Sequence, residues 1–147
     1  MSLPDARLIE ILLVDDDPGD VLMVREALRT ATPSTRLQVL RDGAEVIPYL
    51  RREGDHVGAR RPDLILLDLN LPGRHGRQAL ADIKGDPDLR RIPVVVLTVS
   101  EADEDVVRSY DLHANAYVTK PAELGSFLET IRKIDDFFNT VVRLPAP

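Results

Sequence analysis

The stretch PDLILLDLNLPG, residues 62–73, decides the fold. Residues 64–67 form a continuous apolar run with no polar alternation, too short for a helix. Asp68 closes the run, and Pro72–Gly73 turns the chain shortly afterwards. An unalternating run of this length suits a strand covered on both faces, as in a parallel sheet flanked by helices.

The same grammar recurs along the chain. Ile9–Val14 (IEILLV) ends at Asp15–Asp16–Asp17; residues 36–40 form a short alternating run; residues 93–97 (PVVVL) are closed by Thr98; residues 114–118 are closed by Thr119–Lys120–Pro121. Helical spacing fills the intervals. Val21, Val24 and Leu28 follow Pro18, a good first-turn residue. Ala44, Ile47 and Leu50 follow Asp42, an N-cap residue. Ala79, Leu80 and Ile83 precede Gly85, a helix stop. Val106, Val107 and Tyr110 follow Ser100, with acidic residues in the first turn. Leu124, Phe127, Leu128, Ile131, Ile134 and Phe138 outline the last and longest helix. Five strands alternating with five helices predict βαβ crossovers and a doubly wound parallel α/β sheet in a single domain.

Composition narrows the function. The chain has 147 residues, 44% of them apolar, enough for one core. It contains no cysteine, which excludes disulfides and thiolate metal sites and is compatible with a reducing cytoplasm. No secretory signal pattern and no apolar run of roughly 20 residues occurs, so a soluble cytoplasmic protein without a membrane span is expected. A net charge of −6 argues against a DNA-binding groove. Arg51–Arg52 and Arg60–Arg61 read as a solvated helix end and loop flanking the polar segment EGDHVGARR, residues 53–61.

Sites in open α/β sheets form outside the carboxyl ends of the strands. There the sequence places Asp15–Asp16–Asp17, then Asp68, then Thr98, then Lys120. Taken singly, each is an ordinary strand end. Taken together they bring carboxylates into mutual repulsion, which a hard cation and an ammonium would relieve. Mg²⁺ takes oxygen ligands and binds through one or two carboxylates plus a phosphate. Asp68 is the expected nucleophile, since a carboxylate can attack phosphorus to give an acyl phosphate. Mg²⁺, Lys120 and the Thr98 hydroxyl would meet the charge spread over the equatorial oxygens. The Asn70 carbonyl would complete the metal shell.

These motifs (LLVDDDP, PDLILLDLNLPG, IPVVVLTVS and AYVTKP) carry a resemblance to bacterial response-regulator receiver domains, from about Ile9 to Ile134. The resemblance implies the flavodoxin-like (βα)5 fold with strand order 2-1-3-4-5, an order well known from the chemotaxis member of this same family. It implies Asp68 as phosphoacceptor, Asp16 binding Mg²⁺ directly and Asp15 through water, with the Asn70 carbonyl as third contact. It further implies Thr98 as switch hydroxyl, Tyr117 as switch aromatic, Lys120 as phosphate-binding lysine, and Pro121 as the family proline. The run SYDLHANAYVTKP and the end FFNTVVRLP resemble the stand-alone regulators paired with phytochrome-type histidine kinases. The implied function is that of a stand-alone two-component response regulator. It would not be an enzyme beyond its own phosphotransfer and dephosphorylation. The alternative is a partner-binding pseudo-receiver or a phosphate sink without output. Two departures stand out: Val99 where the family has a small residue, and His75–Gly76 where Asp-Gly is common, His75 reading as a solvent-facing loop residue.

The expected layout is an N-terminal extension over 1–8, the receiver over 9–134, and a C-terminal extension over 135–147. Ile131, Ile134, Phe137, Phe138, Val141, Val142 and Leu144 exceed what one helix face needs, and predict a homodimer through this segment. Other classes fit poorly. An aspartyl-nucleophile phosphatase would use Asp15 and lacks its usual residue at Pro18. A calcium loop would need Gly at Asp20. A flavodoxin would need a Ser/Thr/Gly-rich phosphate loop where this chain is acidic.

Overall fold

The computed structural model describes residues 9–29, 35–69, 71, 75–98, 114, 116–119 and 124–136. Five strands, β1 (Ile9–Val14), β2 (Thr35–Leu40), β3 (Leu64–Asp68), β4 (Val94–Thr98) and β5 (Ala116–Thr119), form one sheet of order β2-β1-β3-β4-β5. All neighbouring pairs are parallel. The expected architecture and strand order are those observed. Four α-helices are described: α1 (Pro18–Arg29), α2 (Val46–Leu50), α3 (His75–Gly85) and α4 (Leu124–Asp136). The helix predicted after Ser100 lies outside the described residues.

The continuous apolar runs have the predicted cause. Leu12, Val14, Ile65, Leu67, Val94 and Val96 pack on one face with Leu80 and Ile83 of α3 and Val46 and Tyr49 of α2. Ile11, Leu13, Leu64, Leu66, Val95 and Leu97 pack on the other with Val24 and Leu28 of α1 and Phe127 and Ile131 of α4. Period-2 alternation thus sends successive residues into two different cores, and both positions must be apolar. Each fully buried Leu, Ile or Val contributes about 1.5–3 kcal/mol relative to exposure.

The helix ends explain the local sequence. Asp17 caps α1: its Oδ1 accepts the N–H of Gly19 at 2.8 Å, and its carbonyl accepts the N–H of Val21 at 3.0 Å. Pro18 occupies the first helical position. Asp42 caps the next segment as predicted, its side chain accepting the Ala44 N–H at 2.9 Å. That segment opens with a 3₁₀ turn, Gly43–Glu45, before α2 begins. The tighter turn rotates the buried stripe, so Val46, Tyr49 and Leu50 go inside where Ala44, Ile47 and Leu50 were expected. The fifth strand runs two residues later than predicted at its start, and Ala114, though buried, precedes the ladder.

Arg51, Arg52 and Arg60 are exposed, as a solvated helix end and loop imply, and three of the four arginines also make ion pairs. Arg51 reaches Asp86 at 2.9 Å, Arg61 reaches Asp88 at 3.1 Å, and Arg60 reaches Glu10 at 3.5 Å. These pairs fasten the segment before β3 to the segment before β4 and to the start of β1. No helix among the described residues is long and apolar enough to cross a membrane.

Candidate functional site

Parallel register sets the site. Val14 pairs with Leu67, so Asp15 and Asp68, each one residue further on, come abreast at the carboxyl edge of the two central strands. One carboxylate oxygen from each of Asp15, Asp16 and Asp68 lies within 4.8 Å of the other two. Asp15 and Asp68 are buried, at 0% and 3% exposure, and Asp16 is exposed. The site is therefore open to solvent on one side and closed on the other.

The loop after β1 is preorganised. Asp15 Oδ1 accepts the N–H of Asp17 at 2.9 Å, and the Asp15 N–H donates to the Leu40 carbonyl at 3.0 Å. The chain is thus held from β2 on one side while Asp17 starts α1. Asp17, the third aspartate, is used as a cap. Its sequence signal is an Asp directly before a Pro and a helical pattern. After β3, the Leu69 N–H donates to the Leu97 carbonyl at 3.2 Å, tying the exit of β3 to β4. Gly76, at the second position of α3, lies against the same exit. A Cβ built there would meet the Asp68 carbonyl oxygen at 2.8 Å and Leu69 Cα at 3.0 Å. Sequence reasoning assigned Gly76 no part. His75 begins α3, so its backbone is helical, not looped.

The remaining expected site residues are placed in part. Asp68 pairs in register with Leu97, and Thr98 follows as the last residue of β4, paired with Thr119 of β5. Tyr117 lies on β5 opposite Val96. Lys120 follows directly on the last residue of β5; Lys120, Asn70, Pro121 and Val99 lie outside the described residues.

The donor set fits a hard divalent cation. Two oxygens on one such ion at about 2.0–2.6 Å are at most about 4–5 Å apart, the span of this cluster. All donors are oxygens, with neither histidine nor thiolate among them. Two concavities at the opposite edge of the sheet are distinct from this site. One, of about 270 Å³, is lined by Glu10, Arg36, Tyr49, His56 and Arg60. The other, of about 400 Å³, is lined by Arg51, Arg52, Arg61, Asp86 and Asp88. Most of their lining charges pair with one another.

A two-sided sheet with this order and clustered aspartates at its central carboxyl edge defines a receiver. The chain belongs to the response regulator receiver domain family, whose model matches residues 11–132. It is 47% identical over 136 residues to "Response regulator Rcp1" of Synechocystis sp., covering 92% of each chain. It is also similar to two solved structures. One is the phosphorylated cyanobacterial phytochrome response regulator RcpA, at 46% identity and TM-score 0.91 over 95% of this chain and 99% of that one. The other is the Mn²⁺-bound form of response regulator Rcp1, at 46% identity and TM-score 0.89 over 94% of this chain and 99% of that one.

Proposed function

We propose that this receiver takes a phosphoryl group onto Asp68 from a phytochrome-type histidine kinase and acts as a stand-alone regulator. The observation that carries the reading is the approach of Asp15, Asp16 and Asp68 within 4.8 Å, two of them buried. In the transfer, a carboxylate oxygen of Asp68 forms a bond to phosphorus. The P–N bond of the donor phosphohistidine breaks, and the imidazole leaves with its electron pair.

Asp15 and Asp16, with the carbonyl of Asn70 and Asp68 itself, are assigned to hold Mg²⁺. When bound, that ion supplies positive charge to the phosphoryl oxygens. The oxygen-only donor set supports Mg²⁺, and a solved relative carries Mn²⁺. Lys120 and Thr98 are assigned to the remaining phosphoryl oxygens, because Thr98 ends β4 beside Asp68 and Lys120 follows the end of the next strand. Tyr117 is assigned the relay to a partner surface. The receiver boundary of 9–134 and a cytoplasmic location complete the reading. So does the absence of any enzymatic activity beyond self-phosphorylation and dephosphorylation.

A homodimer through residues 135–147 is part of the proposal, supported by Phe137, Phe138, Val141, Val142 and Leu144. Light scattering of bare and phosphorylated chain reads this directly. A monomer at high micromolar concentration in both states overturns it.

The test of partnership is a phosphotransfer race. Autophosphorylated phytochrome-type and unrelated histidine kinases are each mixed with the chain and Mg²⁺. The expected result is transfer within seconds from the phytochrome-type donor and little from the others. Equal or absent transfer from the phytochrome-type donor sinks the pairing.

A further inference from the structure

We propose that Gly76 is a positioning residue for the phosphoacceptor, and that its missing side chain sets where the Asp68 carboxylate sits. The proposal rests on Asp68 being the phosphoacceptor. The first turn of α3 presses on the exit of β3. A Cβ at Gly76 would stand 2.8 Å from the Asp68 carbonyl oxygen, 3.0 Å from Leu69 Cα and 3.1 Å from the Leu69 carbonyl oxygen. All three are backbone atoms, so no side chain can swing aside to admit a methyl group.

The backbone they belong to is also held from the other side. Leu69 N–H donates to the Leu97 carbonyl, and Leu67 and Asp68 are in register with Val96 and Leu97. Residues 68 and 69 are thus gripped between β4 and α3. Any larger residue at 76 must move either α3 or the 68–69 backbone by about half an ångström. Leu80 and Ile83 anchor α3 in the core at 0% exposure. Beyond the strand the chain leaving β3 is held by the Leu69 hydrogen bond and by Leu71, buried at 3% exposure in that same core, so the displacement is shared between α3 and residues 68 and 69. The part that falls on residues 68 and 69 shifts Asp68 relative to Asp15 and Asp16.

Misplacement of a reacting group by 1 Å costs about 100-fold in rate. Half that distance sets an expectation of about 10-fold. Full-length Gly76→Ala should bind Mn²⁺ about 10-fold more weakly than wild type, read as loss of the free-ion signal in electron paramagnetic resonance. It should accept phosphate from the kinase about 10-fold more slowly. Gly58→Ala and Gly85→Ala make the same chemical change where nothing lies within 4 Å, and should match wild type in both assays.

Stability and positioning separate through Ile131→Val, a cavity in the opposite core. This variant lowers the melting temperature yet should keep wild-type Mn²⁺ affinity. A folded Gly76→Ala chain with wild-type Mn²⁺ affinity and phosphorylation rate overturns the proposal. If the variant is unfolded in buffer, the same two measurements in trimethylamine oxide, which favours compact states, decide it in the same way. Failure of wild type itself to bind Mn²⁺ or take phosphate would count against the site reading, not against Gly76.

Discussion

Asp63 and Glu10 exchange two hydrogen bonds at the start of the central strands. The Asp63 N–H donates to the Glu10 carbonyl at 2.7 Å, and Asp63 Oδ2 accepts the Glu10 N–H at 2.9 Å. The next pair along is Ile11 with Leu64, and the ladder then runs to Val14 with Leu67. The clamp thus closes, at the far end, the same register that brings Asp15 beside Asp68. The Glu10 side chain is held in turn by Arg36 at 3.3 Å and Arg60 at 3.5 Å.

Asp63→Ala removes the acceptor and leaves the Glu10 N–H at a part-buried position without it. The expected loss is about 1–2 kcal/mol in urea unfolding. The four register pairs beyond the clamp remain, so phosphorylation should continue at near the wild-type rate. Loss of phosphorylation in a folded Asp63→Ala chain would show that the register depends on the clamp alone.

Repulsion among the three site carboxylates predicts an opposite effect for Asp16→Asn. Without metal, removing one charge at under 5 Å should stabilise the fold by about 1 kcal/mol in the high-dielectric environment of an exposed group. On the assigned site, wild type should gain stability when Mn²⁺ or Mg²⁺ is added, since an ion that binds only the folded chain stabilises it. The variant should lose most of that gain. Melting curves with and without metal check both halves, and a metal-induced shift of wild-type size in Asp16→Asn contradicts the assignment.

Lys84 gives a pH dependence remote from the site. Its Nζ donates to the Arg90 carbonyl at 3.0 Å and the Ile92 carbonyl at 2.8 Å, and burial pushes its ammonium down to about 8 from 10.5. Below pH 8 both folded and unfolded chains hold the proton, and the cost of half-burying the charge is present in full. Between 8 and 10.5 the unfolded chain holds more protons than the folded one, so this contribution raises stability as pH rises. Urea midpoints of wild type minus Lys84→Met should therefore increase across that window. The subtraction removes the opposing effect of Tyr49, whose hydroxyl is pushed up by burial and by Glu10.

The sheet was legible because its two cores impose one rule on every central strand. Leu64 and Leu66 serve one core and Ile65 and Leu67 the other, so apolar continuity itself reported burial on both faces. The carboxylate cluster was legible because strand ends in a parallel sheet share an edge, which makes Asp15, Asp16 and Asp68 neighbours on topology alone. Gly76 was not legible, because its constraint comes from the backbone of residues 68 and 69, seven or eight positions earlier. Arg52 was not legible either. It adopts φ 57 after α2, a left-handed position that glycine takes more readily, and no local residue type signals it. The rotated face of α2 followed from a 3₁₀ entry that helical periodicity alone does not distinguish.

Asp68 is the residue assigned to carry the phosphoryl group. The direct measurement is borohydride reduction of the phosphorylated chain followed by peptide mass spectrometry, since an acyl phosphate on aspartate is converted to homoserine. The expected result is homoserine at position 68 in wild type, and neither label nor homoserine in Asp68→Asn or when Mg²⁺ is chelated. Homoserine at Asp15 or Asp16, or label retained by the Asp68→Asn chain, would contradict it.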